Sequence, residues 1–304
     1  MITATISTYN REKYLPQVLE SLKKQTLDKS LYEIILVDNN SPGKTKEISD
    51  EFKDQNPEIN YTYFLETNQG LSYGRNRGIK EAKGDCITFI DDDAFLAVDY
   101  LEKIYNYFKL NKGTVAIGSK ILLHYEDIIP DWENKYLNSL LGYFNIGDQE
   151  IFFSKKDYPR GSNMSFRMDV FEKVGEFNVL LGRNKGNLAG SEEKDIFNRI
   201  YEHKELKVVY IPDALVYHCV PIERTTSDFI KRQALGTGKG ERVRTLNEGW
   251  LQYFYRWMVE VFKWGATFYL SFVFLLKNQI PKAKMLIKFR WWVSKGLLLG
   301  GEIN

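Results

Sequence analysis

Little in this chain points to a function directly. Of its 304 residues only two are cysteines, Cys86 and Cys219, and both sit in apolar, strand-like runs. That excludes a disulfide framework and favours a reducing compartment. No signal peptide is visible, because Met1 leads into Ile2, Thr3 and Ala4 without a basic start or a long apolar stretch. The expectation is therefore a cytoplasmic protein. The longest apolar run, Gly265 to Leu276, has twelve residues, short of the roughly 20 that a spanning helix needs. A Walker A loop is missing too: the Gly236 to Gly240 stretch lacks its spacing. No recognised nucleic-acid motif accompanies the basic residues, so no nucleic-acid partner is expected.

A formal charge of +2 hides an asymmetry: residues 225–304 carry a net +8 and the preceding 224 residues a net −6. With 43% hydrophobic and 27% charged residues, the composition is that of a folded globular protein. The charge step divides the chain into a domain over 1–224 and a basic, aromatic-rich helical tail over 225–304. Five of the six tryptophans lie beyond residue 249, and Trp250, Trp257 and Trp264 recur every seven residues near one helix face. Lys282, Lys284, Lys288 and Arg290 interleave with Leu286, Ile287, Phe289, Trp291 and Trp292. Trp belts flanked by Lys and Arg suit a helix lying in a membrane interface, so residues 250–295 are expected to meet a membrane surface. The bland counterpart is a helical cap on the body or a homo-oligomer contact. Ile230 to Arg244 carries five basic residues around three glycines. It reads either as a loop closing over a diphosphate or as a solvated basic loop.

The first 120 residues alternate. Strand-like runs at Ile2–Thr8, Tyr32–Val37, Tyr61–Leu65 and Cys86–Ile90 are separated by helical patterns at 14–25, 45–55 and 71–82. Such alternation indicates βαβ units, a parallel sheet and right-handed crossovers that bring the strand ends to one face. Three of these strands end in polar clusters: Thr8-Tyr9-Asn10-Arg11, Asp38-Asn39-Asn40-Ser41 and Asp91-Asp92-Asp93. Ligands of open α/β sheets bind at such ends. Three adjacent carboxylates repel unless a cation sits among them, and hard oxygens suit Mg²⁺ or Mn²⁺. A solvated, helix-capping acidic turn is the alternative.

Taken in order, these motifs resemble the family-2 glycosyltransferases of the GT-A fold, over about residues 2–220. Ser7 to Arg11 is similar to the opening loop that holds the nucleotide base, Val37 to Ser41 to the second base-binding turn, and Asn68 to Gly78 to the loop and helix before the metal strand. Asp91-Asp92-Asp93 matches the DXD motif. Arg160 to Arg167 resembles the small-residue strand beside the donor sugar. Gly190 to Arg199 resembles the segment supplying the catalytic base, after a loop with four glycines between Gly175 and Gly190.

The resemblance implies a Rossmann-like, mostly parallel central sheet flanked by helices, with the tail as a membrane-associating appendage. It implies donor contacts at Thr8, Tyr9, Asn10, Arg11, Asp38, Arg75, Asp91, Asp92, Asn163 and Glu192, with Asp91 at the ribose. Asp93 would bind the metal, Mn²⁺ or Mg²⁺, and Glu193 would be the base, with Asp195 and Arg199 in supporting positions. Glu stands where many members carry Asp, and neighbouring Glu192 leaves the register open by one. His218 is either a structural residue or a second metal ligand. For Arg77 a solvated helix face is preferred. The implied activity is inverting transfer from a nucleotide-diphosphate sugar to a glycan or lipid-linked acceptor, in bacterial surface-polysaccharide synthesis at the inner face of the cell membrane. Its alternatives are a nucleotidyltransferase and a non-catalytic, membrane-associated nucleotide-sugar-binding protein.

Overall fold

The computed structural model describes residues 1–155, 157–182 and 191–299. They form two compact units: residues 1–122 with 144–219, and residues 123–143 with the chain from Val220 onward.

The first unit is built on a sheet. Strands β1 (Ile2–Thr8), β2 (Tyr32–Asp38), β3 (Tyr61–Leu65) and β4 (Cys86–Asp91) alternate with helices α1 (Leu15–Lys23), α2 (Thr45–Gln55) and α3 (Leu71–Glu81). There follow β5 (Ala94–Leu96), α4 (Tyr100–Leu110), β6 (Thr114–Tyr125), β7 (Ile151–Phe152), β8 (Met164–Arg167), α5 (Val170–Val174), α6 (Glu192–Glu202) and β9 (Lys207–Val220). The strand order is β3-β2-β1-β4-β8-β6-β9-β5, with β7 on β9. β1, β2, β3 and β4 pair in parallel, while β8 runs antiparallel to both β4 and β6. The expected α/β architecture is present, with a parallel half and an antiparallel half.

Local chemistry accounts for the parallel half. All seven residues of β2 are buried, as a strand covered by helices on both faces requires. α1 buries Leu15, Val18, Leu19 and Leu22, each contributing about 1.5–3 kcal/mol of apolar burial. α3 lies close on β1 because Gly74 and Gly78 face it: a Cβ at Gly74 would stand 2.9 Å from Ser7 Oγ, and one at Gly78 2.5 Å from Thr5 Oγ1. That approach carries Arg75 to the strand ends.

In the second unit α7 (Ser227–Glu248), α8 (Trp250–Leu276) and α9 (Ile280–Leu299) are joined at Gly249, φ +116°, and Asn278, φ +56°. Left-handed backbone at such points ends helices. Trp132, Leu137 and Leu141 are buried with Ile230, Met285 and Leu286. The stretch read as a basic loop, Ile230 to Arg244, is instead the body of α7. Thr226 caps that helix by accepting from Phe229 N at 3.2 Å. Gly238 faces α9 so closely that a Cβ there would lie 2.1 Å from Val293 O, and one at Gly296 would lie 2.4 Å from Leu235 O. Helix crossings this tight need small residues, and that contact offsets the roughly 1 kcal/mol each helical glycine costs.

Candidate active site

The parallel register brings the polar strand ends together. Thr8 pairs with Asp38 across β1 and β2, and Ser7 with Asp91 across β1 and β4. The loops beyond them interlock. Asn39 N donates to Thr8 O at 2.8 Å, and Asn10 N to Ser41 Oγ at 3.0 Å. Asn10 and Asn40 take left-handed φ values of +56° and +63°, a conformation asparagine tolerates better than most residues. Asp38 is buried and both its oxygens are engaged, by Ser41 N and Tyr63 OH at 2.8 Å each. It therefore braces its turn. Tyr9 is exposed beside that turn.

The three aspartates have separate surroundings. Asp92 accepts from Thr8 Oγ1 at 2.8 Å and from Tyr9 N at 3.4 Å. Burial, reinforced by the Asp93 carboxylate, pushes its carboxyl up to about 7 against the hydrogen bond from Thr8. Asp93 is buried, with His218 Nε2 3.3 Å from Oδ1 and Arg11 3.8 Å from Oδ2. His218 reaches it because β5 pairs with β9, Ala94 opposite His218, while Cys219 N donates to Asp93 O at 2.8 Å. β5 is three residues long, too short to register as a strand in the sequence.

A divalent cation suits this donor set. Asp93 offers hard oxygens and His218 an imidazole nitrogen. Among the described residues no group of three His, Cys, Asp or Glu side chains converges into a cage of protein ligands alone.

On the other flank the centre is Arg75, only 2% exposed. Its guanidinium lies 3.0 Å from Glu192 Oε1, 3.3 Å from Glu193 Oε1 and 3.7 Å from Asp91 Oδ1, over the Phe177 ring at 5.3 Å. Asn76 holds Phe177 in place by exchanging hydrogen bonds with its backbone at 2.9 and 3.0 Å. Glu192 is buried and Glu193 partly exposed. Gly161 makes the room: a Cβ there would come within 2.0 Å of Glu193 Oε1 and 2.5 Å of Arg75. Nothing local in the sequence announces this network, whose two glutamates are more than a hundred residues from Arg75.

Other expected residues have structural duties. Asn163 is buried, donates to Lys120 O at 3.1 Å and Ala214 O at 3.3 Å, and accepts from Tyr100 OH at 3.0 Å, so its amide ties strands together. Arg199 pairs with Asp195 at 2.8 Å and donates to Glu176 O at 2.8 Å, holding the end of α5. Arg77 lies along α3 on Glu81. Of the glycine-rich loop, Gly186 and Gly190 lie outside the described residues.

Comparison with known proteins supplies the family. A glucosyl-dolichyl phosphate glucuronosyltransferase of Haloferax volcanii is 28% identical over 253 residues, 81% of this chain and 77% of that protein. An uncharacterized glycosyltransferase of Haemophilus influenzae is 38% identical over 119 residues, 39% of this chain and 46% of that protein. Among solved structures, the Pyrobaculum calidifontis mannosyltransferase PcManGT, in complex with GDP-Man and Mn²⁺, superposes with a TM-score of 0.61 at 15% identity, covering 99% of this chain and 88% of that one. S. aureus TarS 1-349 with UDP-GlcNAc gives 0.55 at 18% identity, over 72% of this chain and 58% of that one. The structural likenesses show a shared fold. The model of glycosyl transferase family 2 matches residues 3–175; the chain belongs to that family and is a glycosyltransferase.

Proposed function

We propose that the protein transfers a sugar from a nucleotide-diphosphate donor to an acceptor hydroxyl in a single inverting displacement. One observation carries this reading. Arg75 ties Asp91, at a strand end, to Glu193, at a helix start, so one guanidinium sets the distance between a donor-side acid and a base.

Glu193 is the base, since it is the partly exposed member of the Glu192–Glu193 pair. It takes the proton from the acceptor hydroxyl as oxygen attacks the anomeric carbon. Glu192, buried on the same guanidinium, holds Arg75 in place. No second carboxylate nucleophile is needed, so configuration inverts. Asp93 and His218 would hold Mn²⁺ or Mg²⁺, and the ion, when bound, neutralises charge developing on the departing diphosphate. Arg11 and Thr8, through Asp93 and Asp92, keep those carboxylates oriented toward the donor. The complex of PcManGT with GDP-Man and Mn²⁺ supports the metal and the donor class. The name of the Haloferax volcanii relative supports a lipid-linked acceptor, and the apolar α8 supports a membrane location, which we take to be the cytoplasmic face.

A thermal-shift panel of UDP, GDP, dTDP and CDP, each with and without Mn²⁺, tests the site. A ligand bound to the folded state raises Tm by mass action. One diphosphate is expected to stabilise only with metal, and Asp93→Ala is expected to abolish that shift. A panel in which none stabilises would remove the donor reading.

A further inference from the structure

α8 is built the wrong way round for a helix in water. Its buried residues include Arg256, Glu260, Thr267 and Ser271. Its exposed side chains recur at helical spacing and are large and apolar, among them Leu251, Phe254, Met258, Phe262, Phe272 and Leu276. A water-facing helix puts its apolar stripe inside and its charges outside. Here the charges are inside and answered: fully buried Glu260 meets Arg256 at 2.9 Å and Arg290 at 3.3 Å, and accepts from Ser294 Oγ at 2.9 Å. The outward face of α8 is matched to an apolar solvent.

From this we infer that α8 and α9 lie in the plane of one leaflet of an anionic membrane, as a monotopic insertion that does not cross. The inference rests on the membrane location proposed above and deepens it. α8 is long enough to span: 27 residues make about 40 Å of helix. It cannot cross alone, however. Only three residues connect it to α9, and contacts from Tyr253 to Leu297, Glu260 to Ser294 and Ser271 to Ala283 set the two helices antiparallel. Crossing would therefore take α9 along, and α9 carries Lys282, Lys284, Lys288, Arg290 and Lys295 and no acid of its own, Arg290 being answered by Glu260 of α8. Lys284, Lys288 and Lys295 are exposed and would stand in hydrocarbon. Lying flat, the same hairpin buries the α8 stripe among acyl chains and leaves the lysines at headgroup depth. Lys263 fits that orientation. Except for Gln252, it is the one strongly polar exposed side chain on α8, and at about 100° per residue it falls on the edge of the exposed arc. The basic face of α9 selects the occupant. A second copy would bring like charge against it, whereas anionic headgroups supply the opposite sign.

The test uses the full chain with sealed vesicles of phosphatidylcholine, alone or with phosphatidylglycerol. Binding is expected with phosphatidylglycerol and weakened on the order of tenfold or more by the pair Lys284→Glu and Lys288→Glu. Phe262→Asp with Phe272→Asp is expected to abolish it, while stabilisation by the nucleotide diphosphate and Mn²⁺ persists. Gln252→Cys and Asn278→Cys, near opposite ends of α8, then report topology with a membrane-impermeant maleimide added outside. Labelling of both supports the in-plane hairpin. Protection of either would overturn it and leave the membrane location standing. Failure to bind any vesicle, with a dimer in sedimentation, would overturn both and assign the α8 face to a second copy.

Discussion

At the scale of single residues, Arg75 organises one flank of the candidate site, and the roles proposed for its two glutamates separate stability from turnover. Removing one partner of a buried ion pair leaves an uncompensated charge and costs about 3–5 kcal/mol. Glu192→Ala is expected at the low end of that range, roughly 3 kcal/mol less stable in urea, because Glu192 and Arg75 are both nearly inaccessible to water while Arg75 keeps Glu193 and Asp91 as partners. Glu193→Gln keeps the shape and stays near Arg75 but cannot accept a proton. Its kcat is expected to fall roughly 10²–10⁴-fold with nucleotide-diphosphate affinity nearly unchanged, as steady-state kinetics and calorimetry would show. A large loss of donor affinity in Glu193→Gln would instead make Glu193 a donor ligand and send the search for a base elsewhere.

At the scale of elements, register does most of the positioning, and some of it was readable beforehand. The polar ends of β1, β2 and β4 stood out because apolar runs stop abruptly at Thr8, Asp38 and Asp91. Parallel pairing then aligns them with no further information. β5 was hidden, since three residues cannot display a period, and with it the reason His218 faces Asp93. α7 reads as a loop because its three glycines resemble loop chemistry unless Gly296, the partner of Gly238 far along the chain, is known. Glu192 and Glu193 were not separable by sequence either, because which one is buried depends on Gly161 and Arg75 from other elements. Strand packing also sets the reactivity of the thiols. Cys86 is buried on β4, and burial pushes its thiol up to about 11, so little thiolate, the nucleophilic form, exists at pH 8. Iodoacetamide at pH 8 is expected to leave Cys86 intact in the native protein and to modify it in guanidinium, read by intact mass. Rapid native alkylation would mean that β4 opens locally.

At the scale of the whole molecule, charge is partitioned along the chain, with an acidic first part and a basic last part of net +8. Long-range attraction to an anionic surface is screened over about 8–10 Å at physiological salt. Raising salt from 50 to 500 mM is therefore expected to weaken vesicle attachment by the proposed hairpin. The stabilisation by nucleotide diphosphate with Mn²⁺ should change little, being made by close contacts. Equal salt sensitivity of the two would mean that the donor site relies on diffuse charge. The aligned strand ends of the first unit also act as a measure of length. Adjacent strands stand about 4.8 Å apart, and β1 separates Asp38 on β2 from Asp91 on β4, so these carboxylates mark two points roughly 10 Å apart on a rigid backbone. Asp38 is already held by Ser41 and Tyr63, so a ligand lying across both strand ends would meet its turn at one end and Asp91 at the other, over a span that strand spacing, and no side chain, sets.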